Sequence, residues 1–363
     1  MDRQKVIEIL DLTFPKMRAL RYTGSSLSGR LQFSEVKEKI KISGKLAEVL
    51  KDQEEFSGPK NLHFNHGLGS MAFQPEDAAL FLCRQAELVV AQKAVDHLED
   101  ILARKDGELI CVMALRGVSC DKEIQLTESI RMVPLAHLPP SKRKENLQNS
   151  KPPSMGDLQS VSAFNPFFVE PADLERAFLI TNIKIDPVLF DYEEMSDAKR
   201  SSINSSVIEA FSRLDEVRFC LTAIGNCSPL EEYRWKQFED EILEDAANIS
   251  SGMSYGSIEI KPFRLRKSEP IEEEKAAQIL KSYFACPESY RKRIKIALNR
   301  LNQSMRRSTV GDAAVELSIA LEVLLLGDGR GDNNFKVSLR SGITFSHELN
   351  ERKECRETIK KIY

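Results

Sequence analysis

Gly311 to Gly327, GDAAVELSIALEVLLLG, is the stretch whose reading decides the fold. From Ala313 to Leu326 only Glu316, Ser318 and Glu322 interrupt an apolar or small run. A helix built from it is greasy on nearly every side, so it is expected to be wrapped by other helices as the core of a bundle. Thr309 and Asp312 have capping-box spacing, and Gly327 stands where a left-handed C-terminal cap is wanted. The two glutamates then need a cation, a donor or a proton, or a way out to the bundle surface, because a carboxylate is costly to bury alone.

The flanking segments fit such a bundle. Before it, Glu288 to Arg307 places Ile294, Ala297, Leu298, Leu301 and Met305 at helical spacing. The other face carries Arg291, Lys292, Arg293, Lys295, Arg300, Arg306 and Arg307, a candidate phosphate-binding set or an ordinary solvated face. After it come a polar, glycine-rich turn, then FKVSLRSGITF, then a charged segment from Glu348 to Tyr363.

This order, with Ile319-Ala320-Leu321-Glu322 followed by Ser338-Leu339-Arg340 and a charged helix reading ERKECRETIKKIY, resembles the HEPN superfamily, most closely its Apea-like branch. The resemblance covers roughly the last quarter of the chain. It implies a bundle of four to five helices, commonly dimeric. Many members are metal-independent endoribonucleases with Arg-x(4–6)-His on the final helix, and others have lost the pair and only bind. The expected pair would follow a stretch like Ile359 to Tyr363, so it is not within this sequence; the bundle reads as truncated, and this 363-residue form as inactive. The internal match to the spacing is Arg340 with His347, which would share one face of an uninterrupted helix, with Glu322 as a supporting carboxylate. The bland alternative is a helix-end Arg and a surface His. The pair type suits RNA cleavage through the 2′-hydroxyl: His accepts the proton near neutral pH, and Arg stabilises the phosphorane oxygens.

Length (363 residues), a net charge of -3 and 42% hydrophobic residues describe a globular chain of two or three domains. No run of eighteen apolar residues and no signal-peptide core are present, so no membrane partner is expected and the cytoplasm is the expected place. Seven scattered cysteines show neither C-x-x-C nor a disulfide framework. His63 and His66 with Asn65 nearby invite a metal reading, yet a third ligand at fitting spacing is lacking, and a polar loop is the expectation. Asp328, Asp332 and Asn334 resemble a calcium loop only superficially, because Arg330 takes a ligand position and the closing Glu is missing. No P-loop, G-x-S-x-G or H-E-x-x-H occurs; no cofactor and no metal are expected.

In the N-terminal part, residues 30–50 read as strand then helix, and Pro75 to Lys105 as one long helix with acids first and bases last. ELICVMALRGV, EIQLTESIRMVPL, AFLITNIKIDPVLF and SIEIKPFRL read as strands of a small sheet, and Pro139 to Pro153, containing Lys142-Arg143-Lys144, as an exposed loop. Ser201 to Ile224 and Trp235 to Ala247 read as helices, the lone Trp as a packing anchor. The expected fold class is therefore α+β: a mixed helix and antiparallel-sheet region over 1–270, of one or two subdomains, followed by an all-α HEPN-like bundle over 271–363. The expected function is an RNA-targeting effector of prokaryotic defence or a toxin-like system, whose N-terminal region senses an unidentified trigger and whose bundle cleaves RNA as a homodimer. The alternative is a catalytically silent binding and dimerisation protein.

Overall fold

The computed structural model describes residues 2–22, 41–54, 56, 61–67, 69–149, 176–193, 195–225, 227–249, 254–255, 270–307, 309–326 and 333–362. Its helices are α1 (Arg3–Tyr22), α2 (41–51), α3 (Pro75–Leu88), α4 (Ala91–Ala103), α5 (Lys142–Asn149), α6 (Asp197–Leu221) and α7 (Glu241–Ala247) in the first part. The second part has α8 (Glu273–Ala285), α9 (Glu288–Arg306), α10 (Val310–Leu325), α11 (Asn333–Phe345) and α12 (Leu349–Ile362). The strands are β1 (Leu62–Asn65), β2 (Ser70–Ala72), β3 (Gly107–Arg116), β4 (Ile124–Gln125), β5 (Ile130–Pro134), β6 (Ala177–Ile185), β7 (Leu189–Asp191), β8 (Leu230–Phe238) and β9 (Ser254–Tyr255). They form two antiparallel sheets, ordered β2-β1-β7 and β4-β5-β6-β3-β8-β9. The chain is thus mixed helix and antiparallel sheet with a helical C-terminal region.

Central strand β3 is buried on both faces, which is why its sequence runs apolar without alternation. Leu109, Cys111, Met113 and Leu115 join the large core with α6, while Ile110, Val112 and Ala114 join a second core with Phe178, Ile180, Tyr233 and Trp235. Helix α6 starts on a Ser196 cap, whose hydroxyl accepts from the Lys199 amide at 3.4 Å, and lays Val207, Leu214 and Val217 onto the first of these faces.

Several expectations are corrected. The long helix from Pro75 is two: Val89 and Val90 are extended, and two adjacent β-branched residues favour that break. Trp235 lies on strand β8, because Tyr233 and Trp235 alternate with Arg234 and Lys236 at period two; only Glu241 onward is helical. Fully buried Trp235 donates to Gln237 Oε1 at 2.9 Å and packs edge-on against Phe178, as an anchor should. Lys142-Arg143-Lys144 opens helix α5 instead of lying in a loop. The strand expected at the start of 30–50, the strand SIEIKPFRL, the cap at Gly327 and the acidic turn at 328 and 332 lie outside the described residues, while residues 41–51 are helical as expected.

Helix α8, placed by its sequence at the head of the C-terminal unit, buries Ala276, Leu280 and Tyr283 in the core it shares with the large sheet and α6. Helix α10 departs most from expectation. It is helical over the expected residues and capped by the Thr309 hydroxyl, which accepts from the Asp312 amide at 3.1 Å. It is not wrapped: Val315, Leu317 and Leu324 are 58%, 41% and 42% exposed. An antiparallel neighbour covers one side of a helix and a third helix another, and among the described residues nothing closes the remaining flank. No helix among the described residues is long and apolar enough to cross a membrane.

Candidate functional site

The C-terminal site residues are set by how α9 and α10 pair. Arg293 meets Val323 and Leu324, and Arg300 meets Glu316, so rising numbers on one helix face falling numbers on the other. The helices are antiparallel. Glu316, buried on α10, accepts from Arg300 Nη1 at 3.0 Å and from Arg307 Nε at 3.1 Å. Burial by itself would raise that carboxyl; the guanidiniums of Arg307 and Arg300 outweigh it and hold Glu316 below the usual glutamate range. Of the two glutamates singled out in the apolar run, Glu316 is the one held by this pair of cations; Glu322 is half-buried.

The end of α10 leaves carbonyls without intrahelical partners, and two arginines take them. Arg293 donates to Val323 O at 3.0 and 3.2 Å and to Leu324 O at 3.1 Å. Arg340 donates to Leu325 O, and to Leu326 O at 3.0 Å. Cations at this end also complement the helix dipole.

The remaining basic residues of α9 are spread among structural tasks instead of forming one open stripe. Arg291 pairs with Glu216 of α6 at 3.5 Å, and Lys295 lies over the Phe219 ring. Lys292 pairs with exposed Glu288 at 2.8 Å. Arg306 is only 3% exposed and its Nε donates to Asn302 O. Asn302, fully buried, donates to Thr222 Oγ1 and Pro229 O at 3.0 Å each, fastening α9 to the end of α6 and the approach to β8.

The structure does not bring Arg340 and His347 onto one helix face. Helix α11 ends at Phe345, His347 is exposed in the turn beyond it, and the Arg340 guanidinium is directed to α10. The turn is fixed locally. Ser346 donates to Glu351 Oε2 at 2.7 Å and its carbonyl accepts from Arg352 Nε at 2.9 Å. Buried Ser338, Ser341 and Gly342 form the small face of α11 on which α12 lies; a Cβ on Gly342 would stand 2.7 Å from the Arg352 carbonyl oxygen.

The exposed apolar side chains gather here. Of eighteen large ones exposed among the described residues, eleven fall between Tyr290 and Leu349. Val310, Leu317 and Leu324 recur at intervals of seven along α10, and Phe335, Leu339 and Ile343 at intervals of four along α11. Both spacings keep side chains on one face of their helix.

The histidines of the β1–β2 hairpin do not converge on a metal. His63 Nδ1 is 3.0 Å from Ser70 Oγ, and its ring lies 4.7 Å from that of Tyr192. His66 Nδ1 instead meets Lys236 Nζ at 2.8 Å, and the same ammonium donates to His66 O at 2.8 Å. A cation donating to the ring nitrogen occupies the lone pair that a metal would need. Among the described residues no group of three His, Cys, Asp or Glu is placed to hold a metal, and Cys83 is buried on α3. Burial first, and Lys236 second, push His66 down to about 4, while burial brings Lys236 down to about 8. No sequence signal announced this pair, because a lysine on a strand and a histidine in a distant hairpin share nothing until the sheet and hairpin pack. Comparison with known proteins adds no relative: no family model, no curated protein and no solved structure matches the chain.

Proposed function

We propose that the C-terminal helices are a HEPN-like module that joins two copies of this chain, and that the chain acts as a binding and dimerising partner in an RNA-targeting system, its α/β region serving as sensor. The observation that carries this reading is the uncovered flank of α10. Val310, Leu317 and Leu324 on α10, and Phe335, Leu339 and Ile343 on α11, are open to solvent; apolar surface of this kind is costly to leave wet, and exposed apolar surface marks an interaction surface. A two-fold axis lets one such patch meet its own copy, which is the commonest way soluble chains associate. The test is direct: light scattering gives the mass of the wild-type chain and of the double variant Leu317→Asp with Leu324→Asp. A dimer that becomes a folded monomer supports the reading; a wild-type monomer at high micromolar concentration sinks it.

The same geometry argues less well for RNA cleavage by the residues present. Arg293, Arg300, Arg307 and Arg340 are engaged with carbonyls or with Glu316, and His347 lies away from Arg340's helix. The endoribonuclease reading keeps the support of the helix order and of the family's Arg-x(4–6)-His chemistry on a later helix. Its test is RNA cleavage by this chain beside one extended through whatever the reading frame encodes after Tyr363. Activity confined to an extended form that carries the pair, and lost on changing its His to Ala, would establish it.

A further inference from the structure

Among the described residues, the small sheet, the last turn of α4 and the first turn of α6 leave an open cavity of about 520 Å³ between them. Ligand pockets usually measure about 300–1,000 Å³, are lined mostly by apolar side chains and carry a few polar groups that orient what enters. This cavity has that make-up. Strand β1 gives it Leu62, β7 gives Phe190 and Asp191, α4 gives Leu102, and the entry to α6 gives Met195 and Lys199. Phe190 and Met195 are buried, and half-buried Leu62 and Leu102 pack on the large core, so the floor is continuous with the fixed interior.

The walls are held by hydrogen bonds. The Val188 amide donates to Lys105 O at 3.0 Å, and the Val188 carbonyl accepts from the Asn65 amide at 2.7 Å. Buried Asn65 also donates from its side chain to Pro187 O at 3.0 Å, and the Tyr192 amide donates to Asn61 O at 2.9 Å. The hairpin, β7 and the exit from α4 thereby form one piece. A cavity walled this way is shaped before a ligand arrives, which lowers the ordering cost of binding.

Two charges of opposite sign border the apolar floor. Asp191 is the cross-strand partner of Leu62, so its carboxylate stands beside an apolar wall residue. Its Oδ1 accepts from the Glu193 amide at 3.1 Å, which orients the group. The ion pair of Lys199 with Asp186 is long, 3.8 Å, and both side chains are largely exposed (49% and 64%), so it holds the ammonium weakly.

We propose that this cavity binds a free α-amino acid with a large apolar side chain, its ammonium group on Asp191, its carboxylate on Lys199 and its side chain against Leu62, Leu102, Phe190 and Met195. An apolar monocarboxylate would answer Lys199 alone and an apolar amine Asp191 alone; a zwitterion answers both with charge-assisted hydrogen bonds. The cavity lies in the α/β region, and its occupant does not rest on the reading of the C-terminal helices.

Isothermal titration of the 363-residue chain with phenylalanine tests this, beside phenylpropanoate, which lacks the ammonium, and phenethylamine, which lacks the carboxylate. Saturable binding of phenylalanine is expected, about tenfold or more tighter than that of either analogue, the worth of one charge-assisted hydrogen bond. Lys199→Met alters an exposed side chain and keeps the parental melting temperature. It weakens phenylalanine about tenfold and leaves phenethylamine as it was, while Lys199→Arg restores phenylalanine binding. Asp191→Asn weakens phenylalanine likewise and spares phenylpropanoate. The proposal is overturned if none of phenylalanine, leucine and tryptophan saturates at millimolar concentration. An analogue that binds as tightly as phenylalanine, or variants that bind phenylalanine as the parent does, overturn it equally.

Discussion

Arg293 of α9 and Arg340 of α11 close on the last turn of the same helix, one taking the carbonyls of Val323 and Leu324, the other those of Leu325 and Leu326. Residues whose sequence context suggests phosphate binding and catalysis thereby act as caps. The four carbonyls that α10 cannot satisfy internally are shared between its two neighbours, which ties three helices together at one point.

Replacing either arginine by Ala should cost about 1–2 kcal/mol, since each loses charge-assisted hydrogen bonds to helix-end carbonyls. Changing both should show coupling, because the two sites lie on adjacent carbonyls. Urea unfolding measures this. Variants as stable as the parent would show that the caps are incidental.

Glu316→Gln should destabilise the chain by about 1–3 kcal/mol; a buried carboxylate with two guanidiniums is lost, and the partly exposed arginines moderate the cost through solvent screening. Because the folded Glu316 titrates below its ordinary value of 4.5, its contribution is present above that pH and is lost as the pH falls through the lower folded value. Unfolding curves from pH 6 to pH 3 should therefore converge for parent and variant at the acid end. Curves that stay equally far apart would contradict the assignment.

The Lys236–His66 contact makes a second pH dependence. His66 titrates near 4 folded against 6.5 unfolded, so between those values the unfolded chain binds more protons and stability rises with pH. Lys236 does the same between about 8 and 10.5. Lys236→Met should erase the upper slope and lessen the lower one, as the ammonium that opposes His66 protonation is gone. Thermal melting across pH 4 to 10.5 gives both slopes, and an unchanged upper slope in the variant would refute the buried-amine account.

Gly67→Ala should cost about 2 kcal/mol or more. Its φ of +84° is strained for any residue with a Cβ, and that carbon would sit 2.1 Å from Val207 Cγ2 of α6. The hairpin is wedged against the helix there, so the variant should also weaken the Lys236–His66 contact, visible as a shift of the His66 ring resonances. A variant with parental melting and resonances would mean that the wedge is loose.

Some features were legible because they depend on neighbours in sequence. The Thr309 cap, the apolar helix after it, the strands of β3, β5 and β6, and the anchoring Trp could be read from spacing and residue type, for these follow from local hydrogen bonding and periodicity. Other readings failed where a local pattern had two solutions: Tyr233 and Trp235 fit a strand better than the helix that Trp235, Phe238 and Ile242 suggest, and the break at Val89 costs so little that packing decides it. What only the tertiary structure decided is where charge is placed. The one-residue slip between β3 and β8 that sends Glu231 and Glu232 to opposite faces, the choice of Arg293 and Arg340 as caps, and the meeting of Lys236 with His66 all arise from contacts between distant segments. Burial fixes which partner each long side chain must find, and burial is a property of the packed molecule. The sequence alone determined that a greasy helix lies at 310–325; that one flank of it stays open among the described residues was settled by how few of their helices pack around it.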